Sequence, residues 1–231
     1  MKTIGMIGGM SWESTASYYQ ALNLGIKREL GGLHSAKIAL YSVDFAEIER
    51  LQHLGEWDQT ANILADAARS VEAAGADFFM ICTNTMHKVA EFVEQQVSIP
   101  LLHIADATAH KLIGDGIKTV GLLGTQFTME QDFYKGRLTE KFAIEVLTPN
   151  IRQREVVHSV IYEELCLGII KSDSRDAYLA IIEDLYRQGA QAVILGCTEI
   201  ALLVNQQDTQ VPLYDTTAIH AEAAVAFSLR K

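Results

Sequence analysis

Three stretches of this chain hold residues suited to acid–base or nucleophilic chemistry. The first is Gly196-Cys197-Thr198-Glu199, where a thiol follows the apolar run Ala192 to Leu195 and precedes the apolar Ile200 to Val204. A cysteine between a strand and a helix sits beside free backbone N–H groups. These favour the thiolate and are expected to draw its pKa from ~8.5 toward neutrality. Such a thiol suits a base or a nucleophile; a small buried hydrophobe is the plainer alternative. The second stretch is Cys82-Thr83-Asn84-Thr85, at the end of the apolar run that starts at Phe78. Its hydroxyls and amide can cap a following helix, and with the N–H groups there they can hold a carboxylate without any lysine. The third is Gly8-Gly9-Met10, a strand-to-helix turn that needs a positive φ at one of its glycines.

Other chemistries lack their residues. The third stretch does not have the G-x-G-x-x-G spacing, and no G-x-x-x-x-G-K-[ST] occurs, so no nucleotide cofactor is expected. The histidines (His34, His53, His87, His103, His110, His158 and His220) form no H-E-x-x-H, and Cys82, Cys166 and Cys197 form no C-x-x-C. Neither a metal site nor a disulfide framework is therefore expected. A serine hydrolase is disfavoured by the absence of G-x-S-x-G. His87 alone falls near one of the three stretches, and it reads as a capping or packed histidine.

The elements that must position these residues alternate in type. β-Branched apolar runs predict strands at Thr3 to Ile7, Ile38 to Val43, Phe78 to Cys82, Leu101 to Ile104, Thr119 to Leu123, Phe142 to Leu147 and Ala192 to Leu195. Between them, Asp58 to Ala74 and Arg175 to Gln188 carry apolar residues three or four apart, as do Met86, Val89, Ala90 and Val93. Strand, crossover helix, strand means parallel sheets covered by helices. The chain also resembles itself. Gly75 to Thr85 overlays Gly189 to Glu199 without a gap at an offset of 114, which sets Thr83 opposite Cys197. Thr3 to Gly8 matches Thr119 to Gly124, and Ile99-Pro100-Leu101 matches Val211-Pro212-Leu213, in the same order. The repeat implies two similar α/β lobes. In open α/β sheets ligands lie outside the carboxyl ends of strands, so Thr83 and Cys197 belong on the functional edge of their lobes and meet across a cleft if the lobes face each other.

Composition sets the surroundings. Nineteen Lys and Arg against 29 Asp and Glu give a net charge of −10, which excludes nucleic acid and anionic membrane as partners. With 49% hydrophobic and 21% charged residues the chain is an ordinary globular one. No apolar run approaches the ~18 to 20 residues of a membrane span, and no secretory leader is evident at Met1. A cytoplasmic protein is expected.

The Gly8-Gly9-Met10 loop, the Cys82-Thr83-Asn84-Thr85-Met86-His87 segment and the Gly196-Cys197-Thr198-Glu199 segment, in this order and with this duplication, resemble the aspartate/glutamate racemase family. That resemblance spans essentially the whole chain. It implies two lobes with parallel sheets related by pseudo-twofold symmetry, one of residues 1–100 plus 210–231 and one of residues 101–209, with the active site in the cleft between them. It further implies a homodimer, a small amino-acid substrate, and no cofactor or metal. Family members use one cysteine per lobe on opposite faces of the substrate Cα. Here Cys197 matches the second cysteine, whereas Thr83 stands where the first is usual. Cys82 is one residue early, with its side chain on the other side of an extended backbone. A hydroxyl is too weak an acid to be stored as a base, yet it can deliver a proton to a carbanion. The resemblance thus implies Cys197 as base toward the L enantiomer and Thr83, or water held by it, as donor on the opposite face, so that L to D looks faster. It places the α-carboxylate on Asn84, Thr85 and Thr198 near the Met10 loop, with Gln52 and Glu199 also in the substrate-binding set. For the distal group the chain offers Arg50 and Gln52, while Cys166 falls where similar aspartate racemases have a lysine. Aspartate and glutamate are the leading substrates; a neutral one such as homoserine, another small-acid isomerisation, or ligand binding without reaction are the alternatives.

Overall fold

In the computed structural model the described residues are 1–230, and they divide into two compact units, one of 1–104 with 220 onward and one of 105–219. Both boundaries lie further along the chain than the 100/101 and 209/210 read from sequence. The reason is strand pairing: residues 213–215 belong to the second sheet, while Leu101 bridges to Phe79 in the first.

The first unit carries β1 (Ile4–Gly8), β2 (Ile38–Ser42) and β3 (Phe78–Ile81), all parallel, in the order β2-β1-β3. Its helices are α1 (Trp12–Leu30), α2 (Phe45–Leu54), α3 (Trp57–Ala73) and, after a 3-10 turn at Thr85–Val89, α4 (Ala90–Glu94). Both sheet faces are covered, and successive residues of β3 divide between them, as the two-residue period of a strand dictates. Phe78, Met80 and Cys82 pack with Ile4, Met6, Tyr18 and Leu22; Phe79 and Ile81 pack with Ile7, Leu64, Ala68 and Val71. The strand expected at Leu101 to Ile104 is reduced to a single bridge between Leu101 and Phe79, because α5 (Ile104–Gly114) already begins at its last residue.

The second unit holds β4 (Thr119–Gly124), β5 (Glu145–Leu147), β6 (Ala192–Gly196) and β7 (Leu213–Asp215), parallel and in the order β5-β4-β6-β7. Between them run α6 (Gln126–Glu130), α7 (Asp132–Gly136), α8 (Ile151–Glu163), α9 (Ser172–Arg187) and α10 (Ile200–Leu203). Val157 and Ile161 of α8 and Tyr178 and Ile182 of α9 close over Leu123, Val193 and Leu195. β5 is shorter than the expected Phe142 to Leu147, because Phe142 ends a π-helical turn and Ala143 comes next at φ 55°. The two units share a strand order, and the proline repeat explains part of it. The Phe79 N–H donates to the Pro100 carbonyl at 3.0 Å, and the Val193 N–H donates to the Pro212 carbonyl at 2.8 Å.

The last helix, α11 (Thr216–Leu229), starts in the second unit, where Asp215 Oδ1 accepts from the Thr217 N–H at 2.8 Å. It continues into the first, where Ala221, Ala224 and Val225 join the core around Ile4 and Met6. The Ser228 carbonyl there accepts from the Lys2 N–H at 2.8 Å.

Candidate active site

In the first unit the site residues gather at the carboxyl ends of β1 and β3, which run in register through Ile7 and Ile81. Gly9 is the turn glycine with positive φ, at +91°, and a Cβ there would overlap the Val43 carbonyl oxygen. Its N–H donates to Thr15 Oγ1 at 2.7 Å, and that hydroxyl donates to the Ser11 carbonyl at 2.8 Å, so the loop is bound to the start of α1. The Met10 side chain is buried in the core with Ile7 and Ile48, and the Met10–Ser11 peptide is cis. The methionine thioether is thus part of the core, and Ser11 beside it is buried as the N-cap of α1, its Oγ accepting from the Ser14 N–H at 3.3 Å.

Thr83 lies in the bend after β3 and is partly exposed, while Asn84 and Thr85 beside it are buried. Cys82 is 0% exposed on the α1 face of the sheet, and burial pushes its thiol pKa up. The segment does not open a long helix. Asn84 makes no capping bond with its side chain, and the next element is one 3-10 turn, whose dipole is small. Any hold on a carboxylate here comes from Thr83, Asn84 and Thr85 themselves. Gln52 reaches the same turn from α2, its amide donating to Met86 Sδ at 3.0 Å, whereas Arg50 is exposed on that helix.

In the second unit, Gly196 lets the end of β6 lie against β4, since a Cβ there would sit 2.8 Å from the Leu123 carbonyl oxygen. The turn over residues 197–199 then folds back on itself. The Cys197 thiol donates to Glu199 Oε2 at 3.0 Å, and the Thr198 hydroxyl donates to the same oxygen at 2.6 Å. Glu199 is 3% exposed, so its carboxylate is fixed on the thiol. This reverses the electrostatic expectation for Cys197. Desolvation, the neighbouring Glu199 charge and Cys166 hold its pKa well above that of an ordinary thiol. The helix that was to lower it, α10, starts three residues on and has four residues. Sequence reading missed this partnership because Cys197 and Glu199 are two apart, a spacing that meets in a turn and not on a helix.

His87 is also more than packing. Its Nδ1 lies 2.8 Å from the Thr83 carbonyl oxygen, and its Nε2 accepts from the Ile104 N–H at 3.3 Å. The signal was its position four residues after Thr83. Among the described residues no group of three or more His, Cys, Asp or Glu side chains is placed to hold a metal ion, and no helix is long and apolar enough to cross a membrane.

In the second unit β6 thus ends in a thiol that donates to a carboxylate, and in the first unit β3 ends in a threonine followed by an amide and a hydroxyl. A model of the Asp/Glu/hydantoin racemase family matches residues 7–224, so the chain belongs to that family and is an isomerase. Among its relatives is the broad specificity amino-acid racemase RacX of Bacillus subtilis, 25% identical with 96% of each chain covered. A crystal structure from Yersinia pestis, assigned to the Asp/Glu racemases, is 60% identical over the whole of both chains with a TM-score of 0.93. An aspartate racemase homologue from Pyrococcus horikoshii is 35% identical over the whole of both chains with a TM-score of 0.85.

Proposed function

We propose that this enzyme racemises a free amino acid by two-base proton transfer, with Cys197 working on the L enantiomer and Thr83 on the opposite face of Cα. Aspartate and glutamate are the leading substrates. The observation that carries the reading is the Cys197 thiol on the buried Glu199 carboxylate. A thiol with a raised pKa is protonated at neutral pH and needs an acceptor at the moment it becomes a base. Glu199 is that acceptor: the thiol proton moves to Oε2, the sulfur takes the α-proton, and the carbanion is protonated by the Thr83 hydroxyl or by water it holds. Solvent then discharges Glu199 and restores the Thr83 proton. Asn84, Thr85 and Thr198 hold the α-carboxylate. Glu199 thereby moves from the substrate-binding set to the proton path.

A second reading, a neutral substrate such as homoserine, is favoured by one observation. Of the two residues offered for a distal group, Arg50 is exposed on α2 and the buried one is the neutral amide Gln52. The broad specificity named for RacX points the same way.

The test is proton NMR of the purified enzyme in deuterated buffer, without added pyridoxal phosphate, against L and D amino acids including aspartate, glutamate and homoserine. Loss of the α-proton signal with falling optical rotation is the expected result and names the substrate. Cys197→Ala is expected to abolish exchange; exchange that persists in this variant removes Cys197 from the mechanism. No exchange with any candidate would return the binding reading.

A further inference from the structure

Resting on that reading, we propose that His87 is the positioning residue for the Thr83 side of the reaction, bracing the Thr83 peptide against the segment 102–104. β3 ends at Ile81, so the Thr83 carbonyl has no place in the strand ladder and needs another partner. A carbonyl can only accept, so His87 Nδ1 carries the hydrogen that donates to it at 2.8 Å. The Ile104 N–H can only donate, so Nε2 offers a lone pair at 3.3 Å. The ring is therefore a neutral Nδ1–H imidazole, engaged on both sides and 3% exposed. The backbone N–H of the same residue donates to the Asn84 carbonyl at 3.0 Å, so His87 holds the peptides of both Thr83 and Asn84.

The far side of the brace is itself fixed. The His103 ring lies 4.4 Å from that of His87, centroid to centroid, and the His220 ring lies 6.2 Å from it. His220 Nε2 donates to the Leu102 carbonyl at 2.8 Å, and its Nδ1 pairs with the Tyr18 hydroxyl at 3.0 Å. Thr83 is thus tied through one imidazole to Ile104, in a segment that His220 holds at Leu102. Proton delivery is sensitive to placement, and an error of about 1 Å costs on the order of a hundredfold. Removing the brace therefore harms the Thr83 step more than the Cys197 step.

The two steps can be read separately with L-substrate in deuterated buffer. Removal and return on the Cys197 face gives α-deuteration with retention, and delivery from the Thr83 face gives the deuterated D enantiomer. In His87→Leu the number of inversions per exchange is expected to fall about tenfold or more, with exchange itself little changed. His87→Asn keeps a donor near the Nδ1 position and is expected to recover most of the ratio. A ratio unchanged in His87→Leu, with both rates falling together, would overturn the proposal as a general loss of structure does. Should His87→Leu fail to fold, long-range 1H–15N correlation spectra of the wild-type enzyme give an independent reading. Nδ1 protonated with Nε2 bare is expected, and the Nε2–H tautomer or an imidazolium would overturn the brace. A wild-type enzyme that exchanges no amino acid sinks the racemase reading and this role with it, whereas exchange with an unchanged ratio sinks this role alone.

Discussion

In the proposed reaction Thr83 and Cys197 are an unequal pair, and the inequality has a thermodynamic limit. Enantiomers have equal free energy in water, so kcat/KM must be the same in both directions. Only kcat and KM separately can differ, and a slow D-substrate is a kinetic property. Thr83→Cys supplies a group that can be stored as a base and is expected to raise turnover of D-substrate roughly tenfold or more. No gain, measured by polarimetry from each enantiomer, would mean that the sequence overlay misplaces the first site. Glu199→Gln separates two roles of one carboxylate. The Glu199 charge helps to hold the Cys197 pKa up, so its loss lets the pKa fall and is expected to speed thiol alkylation at fixed pH several-fold. If Glu199 takes the thiol proton, the same variant loses α-proton exchange by on the order of a hundredfold or more. Faster alkylation with unchanged exchange would leave Glu199 as a neighbour only.

At the scale of elements, the turn after β1 depends on one position. Gly9→Ala combines a φ of +91° with a Cβ that overlaps the Val43 carbonyl, and it is expected to cost roughly 2–4 kcal/mol in urea unfolding. A loss under about 1 kcal/mol would show that the loop relaxes at little cost. The strands around that turn were readable because Ile4, Met6, Phe78 and Met80 belong to unbroken apolar runs buried on both faces, a pattern that parallel sheets impose. Two short pieces were not. Leu101 to Ile104 reads as a strand because it is apolar throughout, yet a helix claims its end and leaves a single bridge. β7 has three residues, too few for a period, and only the proline repeat with Ile99-Pro100-Leu101 marked it. For the candidate site, the places of Thr83 and Cys197 just after β3 and β6 were legible from the apolar runs and the offset of 114. Glu199 and His87 were noted in the sequence, but their contacts with Cys197 and Thr83 were not, because both are made inside tight turns whose geometry residue type alone does not announce.

For the whole molecule, one buried histidine sets an acid limit. Burial lowers the His220 pKa from 6.5 to about 4, so the folded chain declines a proton that the unfolded chain takes below pH 6.5. The stability this neutral ring contributes is complete above pH 6.5 and is lost as pH falls from there toward 4. The loss by pH 4.5 is expected to be about 2–3 kcal/mol at most. Urea unfolding at pH 7 and pH 4.5 measures it. His220→Gln, which can still donate to Leu102 and accept from Tyr18, is expected to show less of this loss, and an equal loss in that variant would assign the acid sensitivity elsewhere.

The path of α11 also orders events on a translating ribosome. The unit of residues 105–219 is contiguous and can close as soon as it has left the exit tunnel. The unit that is synthesised first cannot do so, because Ala221, Ala224 and Val225 complete the core around Ile4 and Met6 and Ser228 receives the Lys2 N–H. The wall over β1 and β3, which α1 begins with Tyr18, Leu22 and Ile26, stays incomplete until α11 emerges. The unit that bears Thr83 is therefore begun before the unit of 105–219 and completed after it.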